Sequence, residues 1–154
     1  MKIRQALIAD IPGLVKIRMD FIYSLKKIMP PQIFETKTKI YLEQHLGCGD
    51  FAAWVAIEGD VIVSACMLCI TEQIPTPICP NGKMGYVYNV FTQEAYRRQG
   101  LATYLMKELQ KYSAEQGILS LSLQATEDGF SIYQQLGFEP QTNEMSWNVK
   151  ACPA

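Results

Sequence analysis

The chain lacks an excess of charge of either sign. Its 14 Lys and Arg against 15 Asp and Glu leave a net charge of −1, which predicts no general attraction to nucleic acid or to an acidic membrane surface. No apolar run reaches the roughly 20 residues of a membrane-spanning helix. The opening residues, Met1-Lys2-Ile3-Arg4, lack the apolar stretch of a secretion signal, so the expectation is a soluble, cytoplasmic protein. Histidine is nearly absent: His45 stands alone. The five cysteines are Cys48, Cys66, Cys69, Cys79 and Cys152, and Cys66-x-x-Cys69 has neither a second such pair nor histidines to complete a metal set. It also lies in a strand-like apolar run, a poor geometry for chelation. Buried, reduced thiols and no metal are expected. Also missing are the phosphate loop Gly-x-x-x-x-Gly-Lys-Ser/Thr and the dinucleotide pattern Gly-x-Gly-x-x-Gly. There is no internal repeat, low-complexity tract or interdomain linker. What remains is 154 residues, 49% of them apolar, which suits one domain over residues 1–154 with one core.

Periodicity orders that domain. Lys2 to Ala6 reads as a strand. Asp10 reads as an N-cap with Pro12 in the first turn, and Ile11, Leu14, Val15, Ile17, Phe21, Ile22 and Leu25 keep helical spacing to about Ile28. Pro30-Pro31 breaks that helix. A second spans Gln32 to Leu46 and ends at Gly47 and Gly49. Phe51 to Ile57 and Val61 to Ile70 read as strands of a hairpin turning at Glu58-Gly59-Asp60. Thr71 to Gly82, with Pro75, Pro77, Pro80 and Asn81-Gly82, reads as an irregular loop and a candidate flap beside the substrate. Met84 to Phe91 is a fourth strand. Leu101 to Gln116 is a helix with a Leu101, Leu105, Leu109, Tyr112 stripe, and Ile118 to Ala125 alternates as a strand. Phe130 to Leu136 is a short helix, and Phe138 to Glu139 with Met145 to Val149 are predicted to close the sheet as a last strand pair. The order describes a mixed α/β domain.

Chemistry concentrates at Arg97-Arg98-Gln99-Gly100-Leu101-Ala102. This segment links a strand to a helix through a glycine-containing turn. A helix start leaves backbone N–H groups unpaired, and with the helix dipole behind them they attract an anion. Gly100 and Ala102 let the backbone approach closely, and two arginines add positive charge. The residues describe a cradle for a phosphate or pyrophosphate. Taken alone, they equally describe a plain helix start with two solvated arginines.

Asn89-Val90-Phe91-Thr92 followed by Glu94-Ala95-Tyr96-Arg97-Arg98-Gln99-Gly100-Leu101-Ala102 closely resembles motif A of the GNAT superfamily of acetyl-CoA-dependent N-acetyltransferases. The signature Gln/Arg-x-x-Gly-x-Gly/Ala is matched by Arg97, Gly100 and Ala102. Ala125-Thr126-Glu127-Asp128-Gly129-Phe130-Ser131-Ile132-Tyr133-Gln134-Gln135-Leu136-Gly137-Phe138 resembles motif B, with its Tyr-x-x-Leu-Gly-Phe ending. The residue-level match runs from Asn89 to Phe138. The resemblance implies a central, mostly antiparallel sheet whose fourth and fifth strands splay, flanked by about four helices. It implies acetyl-CoA as cosubstrate, its pantetheine arm on main-chain groups of Val90, Phe91 and Thr92. Its pyrophosphate would lie on the N–H groups of Arg98, Gln99, Gly100, Leu101, Ala102 and Thr103, beside Arg97. It implies that Tyr133 protonates the departing thiolate; a core tyrosine packed beside Phe130 and Leu136 is the plainer alternative. Many members carry Asn and Ala where this chain has Thr126 and Gly129.

The implied activity is acetyl transfer to a small-molecule or peptide primary amine, by direct attack in a ternary complex. The base that deprotonates the amine is left open. His45 reads as a surface or boundary residue, and Glu144 is either a cleft base or a strand-end charge. Tyr86 and Tyr88 share one strand face and read as core, with Asn89 on the other. The first two helices and the Thr71 to Gly82 loop are expected to shape the acceptor surface, without a motif naming the acceptor. A catalytically inactive CoA-binding sensor or interaction domain fits the same motifs. No cysteine falls in either motif, which opposes an acyl-enzyme. Oligomeric state is unreadable, and a homodimer is compatible with the sequence.

Overall fold

The unbroken apolar run Phe51 to Ile57 has the pattern of a strand covered on both faces, and the computed structural model of the chain places it inside a sheet. The structure describes residues 1–141 and 143–150. It forms two units, Met1–Gln124 and a smaller one beginning at Ala125.

The first unit holds one five-stranded sheet in sequential order: β1 (Lys2–Gln5), β2 (Phe51–Glu58), β3 (Val61–Glu72), β4 (Lys83–Thr92) and β5 (Ser120–Leu123). β1 through β4 pair antiparallel, and β4 pairs parallel with β5. Parallel neighbours need a crossover, here supplied by helix α3 (Leu101–Glu115). Helices α1 (Ile11–Lys26) and α2 (Gln32–His45) lie between β1 and β2 in sequence. Leu14, Ile17, Leu42 and Leu46 of this pair of helices and its end form one core cluster with Phe51, Ala53, Val55, Ala65 and Met67. The alternate β2 residues meet α3, where Trp54 stands edge-on to Tyr112 at 5.2 Å and Leu101 packs with Ala56 and Val63. Leu105, Met106 and Leu109 of α3 are wholly buried, each such side chain contributing about 1.5–3 kcal/mol. Burial on both faces explains why β2 shows no alternation. In the second unit, α4 (Glu127–Gln135) is the fourth α-helix of the described residues. The mixed α/β class, the mostly antiparallel sheet and the β4–β5 pair are as expected.

Four local expectations are corrected. Asp10 stands at the N-cap of α1 with Pro12 in the first turn, as expected, but its side chain makes no capping bond. A 3-10 turn at Ile8–Asp10 precedes the helix, and the Asp10 carboxylate accepts the Leu7 N–H at 2.7 Å and both Arg4 guanidinium nitrogens at 2.6 and 2.9 Å. The irregular segment expected over Thr71 to Gly82 begins only at Gln73, and it is pinned in place. β3 continues to Glu72, Gln73 N–H donates to the Gly82 carbonyl at 2.8 Å, and Thr76 and Cys79 exchange backbone bonds at 3.1 Å. Asn81 Nδ2 and Lys83 Nζ then donate to the carbonyls of Gly117 and Gln116, fixing this segment to the C-terminal end of α3. Cys48 is exposed rather than buried. No strand follows α4 among the described residues. Met145, Trp147 and Val149 alternate as a strand would, but they are 95%, 83% and 73% exposed. Alternation makes a strand only where a sheet edge and an apolar face receive it, and Pro140 withholds a donor at the segment's start. Glu144 therefore has no strand to orient it and is exposed.

Candidate active site

The site begins where β4 leaves β5. Their parallel register covers only Met84–Val87 against Ser120–Leu123, whereas β4 runs on to Thr92. On that edge the main chain of Tyr88 to Thr92 has no strand partner, so its donors and acceptors are available to an extended ligand. A bulge marks the departure. Ala65 faces Phe91 and Met67 faces Tyr88, so Asn89 and Val90 of β4 stand against Cys66 alone. Asn89 takes φ 55°, a left-handed conformation that asparagine tolerates better than most residues. Its side chain is 2% exposed, and neither its amide nitrogen nor its oxygen has a partner. An orphaned buried amide carries a cost of about 1–3 kcal/mol, the kind of deficit a bound polar ligand relieves. The side chains of the predicted pantetheine residues are otherwise engaged: the Phe91 ring lies 5.7 Å from Phe21, and the Thr92 hydroxyl is 2.8 Å from that of Ser64.

The anion cradle follows at once. Arg97 Nε donates to the Thr92 carbonyl at 3.0 Å, tying the turn to the strand end, and its guanidinium lies 5.8 Å from the Phe91 ring centroid. Arg98 and Gly100 both take positive φ, 62° and 77°. Gly100 is the N-cap of α3, and no side chain caps the helix. The first-turn N–H groups of Leu101, Ala102 and Thr103 therefore lack intrahelical partners. Arg97, Arg98, Gln99 and Gly100 are exposed. The structure thus brings together ten of the predicted residues, Val90 to Thr92 and Arg97 to Thr103, in one continuous strand-turn-helix edge.

A cavity of about 420 Å³ opens beside this strand, lined by Arg18 of α1, Phe34, Lys37, Thr38 and Tyr41 of α2, Met67 and Cys69 of β3 and Tyr88 of β4. The first two helices supply one wall, and the Thr71 to Gly82 segment supplies none. Tyr88, expected in the core, is instead 42% exposed; it keeps the strand face it shares with Tyr86, whose ring centroid lies 4.7 Å away, and that face opens here onto the cavity. Arg18 lies 5.7 Å from the Phe34 ring centroid and 5.8 Å from that of Tyr88. Desolvation lowers its pKa from the usual value, partly offset by Tyr88 and Cys69. The Tyr41 hydroxyl is 3.4 Å from Cys69 Sγ, and burial raises the pKa of both groups. A thiol held neutral is a poor nucleophile. Behind Tyr41, the His45 ring stacks at 4.3 Å and its Nδ1 meets Asp50 Oδ2 at 2.7 Å, so His45 is a paired boundary residue.

These pocket residues escaped sequence reasoning. One signal was present for Arg18: it stands four residues after Leu14 and three before Phe21, a cation on the apolar stripe of α1.

In the second unit, Tyr133 of α4 is buried and its ring lies 6.1 Å from that of Phe138. Gly129, one turn earlier, makes room for it: a Cβ there would stand 2.8 Å from Tyr133 Cε2.

A sheet that opens between parallel strands beside a glycine-led helix defines the acetyltransferase class. A predicted acetyltransferase from Clostridium acetobutylicum, solved with acetyl-CoA, aligns with a TM-score of 0.88 at 25% identity over 96% of this chain and 95% of that one. A GCN5-related N-acetyltransferase from Ralstonia eutropha aligns at 0.82 and 26% identity, over 96% and 97% of the two chains. Glucosamine-6-phosphate N-acetyltransferase from Arabidopsis thaliana, at 17% identity with a TM-score of 0.74 over 97% and 98%, shares the fold. No curated protein sequence matches the chain significantly. The model of the acetyltransferase (GNAT) family matches residues 19–138. The chain belongs to that family and is an acyltransferase.

Proposed function

We propose that this protein moves the acetyl group of acetyl-CoA to a primary amine by direct attack while both substrates are bound. The observation that carries the reading is the opening of β4 from β5 after Val87, with the uncapped start of α3 on the same strand's exit and the Tyr88 cavity beside it. The family and the acetyl-CoA-bound neighbour support the choice of cosubstrate. In this reading, Leu101, Ala102 and Thr103 donate main-chain N–H groups to the pyrophosphate, and Val90 to Thr92 hold the pantetheine arm. An unpaired β4 amide near the bulge stabilises the thioester oxygen as it gains charge. The acceptor amine occupies the cavity. Arg18 and Lys37 on its wall disfavour the ammonium form, which supports a neutral amine without a carboxylate or histidine in the lining. Tyr133 returns a proton to the leaving thiolate.

Calorimetry with acetyl-CoA and acceptor-dependent thiol release across an amine panel test the reading together. Saturable binding with steady turnover is expected. Tyr133→Phe is expected to lower kcat by about 100-fold, a typical general-acid contribution, while CoA affinity stays within about twofold of the parent, because that hydroxyl contributes to proton transfer rather than to pyrophosphate binding. Tight binding without release for any amine would instead assign the chain to the inactive, CoA-sensing class.

A further inference from the structure

The wall of the acceptor cavity is charged with one sign. Arg18 and Lys37 face it, and no Asp or Glu is among its lining residues. Asp50, behind Tyr41, is bound to His45 at 2.7 Å. Among the described residues, no carboxylate forms an ion pair with Arg18. The neighbouring cations Arg4, Lys16 and Lys39 do each have an acidic partner. Arg18 is half-buried in spite of this, held over the Phe34 and Tyr88 rings. A guanidinium stacked on aromatic rings keeps its N–H fork in the plane, where a planar carboxylate can take two parallel bonds. The rest of the lining is uncharged: Phe34, Leu42, Phe51 and Met67 are apolar, and Thr38, Tyr41, Cys69 and Tyr88 add polar atoms. Polycationic acceptors would meet two like charges there and no counter-charge.

We propose that the acceptor is an amine that also carries a carboxylate, an amino acid or short peptide with an apolar side chain, and that Arg18 receives the carboxylate. This rests on the amine-acetylation reading above. Arg18 sets specificity: it fixes the carboxylate, so that the amine is presented to β4 beside Tyr88. Lys37, exposed at the rim, adds attraction for the same group.

The test uses matched pairs in the thiol-release assay: L-phenylalanine against phenethylamine, and L-leucine against isopentylamine, with O-phosphoethanolamine as the phosphate arm. The parent protein is expected to favour the carboxylated member of each pair by about tenfold to a hundredfold in kcat/KM, the worth of one charge-assisted pair. Arg18→Gln is expected to erase that preference, and Arg18→Lys to restore part of it, while calorimetry gives unchanged acetyl-CoA affinity for both. Equal or better use of the decarboxylated amines by the parent, a preference that survives Arg18→Gln, or a preference for the phosphate compound each overturns the proposal. Binding of N-acetyl-L-phenylalanine in the presence of CoA is measured separately. At least tenfold weaker binding by Arg18→Gln supports the carboxylate site even if no amine is turned over, an outcome that would end only the transferase reading. Equal binding by parent and variant ends the carboxylate site alone.

Discussion

Replacing Gly100 by alanine separates the two things that residue does. Its φ of 77° is a left-handed conformation, which costs an ordinary L-residue about 1–2 kcal/mol. A Cβ at Gly100 would meet nothing within 4 Å, so no steric clash adds to that cost. For a chain of this size each 1 kcal/mol lowers Tm by about 2–4 °C, and a fall of that order is expected for Gly100→Ala. The new methyl group would project at the mouth of α3, where the pyrophosphate is proposed to lie. Lengthening one charge-assisted amide bond there costs about 1.5–3 kcal/mol, or roughly tenfold to a hundredfold in acetyl-CoA affinity. Gly47→Ala is the matched control. Gly47 has φ 87° and equally empty surroundings, but it lies between α2 and β2, away from the cradle. It is expected to lose the same few degrees of Tm and to keep acetyl-CoA affinity. Melting curves and calorimetric titrations of the three proteins decide the matter. If Gly100→Ala binds acetyl-CoA as the parent does, or if Gly47→Ala loses as much affinity, the α3 N–H groups do not hold the pyrophosphate.

Three further outcomes are expected. Asp10 is held below the usual carboxylate range, first by its bond to Arg4 and then by the Leu7 N–H, against the opposing effect of burial. A lowered folded-state pKa contributes stability that is complete above the unfolded value near 4 and fades as pH falls through the folded value. Asp10→Asn is therefore expected to cost about 1–3 kcal/mol at neutral pH and to flatten the acid side of the stability–pH curve; denaturant melts from pH 7 downward check this. Gly129→Ala places a methyl 2.8 Å from the Tyr133 ring. It is expected to lower kcat by displacing the ring even though alanine favours the helix by up to about 1 kcal/mol, and an unchanged kcat would mean that the ring position does not matter to turnover. Cys69→Ala is expected to keep turnover within about threefold, since the thiol is raised in pKa and neutral near pH 7; loss of turnover in a folded variant would revive the acyl-enzyme mechanism.

The elements with strong periodicity were legible from the residues. α1, α2 and α3 begin and end within about two residues of their predicted bounds, because buried stripes and proline or glycine stops act locally. The cradle was legible because both its parts, the glycine and the uncapped helix start, are adjacent in sequence. The cavity beside Tyr88 was not, because Arg18, Tyr41, Cys69 and Tyr88 come from four elements and meet only after the sheet forms. The C-terminal strand pair was predicted from alternation at Met145, Trp147 and Val149, but pairing depends on a partner edge, which no local pattern encodes. Asp10 holds the expected N-cap position without the capping bond for a related reason. Its carboxylate was available as a cap, but Arg4 on β1 and the Leu7 amide compete for it, and a bidentate ion pair outweighs a single helix-capping bond.

Asn89 places one backbone irregularity at the open edge of β4. Without the extra residue in β4, the register Ala65↔Phe91 would continue unchanged to the strand's start. The bulge spends conformational energy, and the buried amide of Asn89 adds an unpaired donor and acceptor. Two features flank it on the same strand. Tyr88, on the face it shares with Tyr86, borders the cavity beside Arg18, and beyond Val87 the β4 edge has no β5 partner. A regular strand would avoid both costs. Strain kept beside an open edge is what a functional position predicts, and it locates the reacting thioester of the proposed mechanism at the step from Tyr88 to Val90.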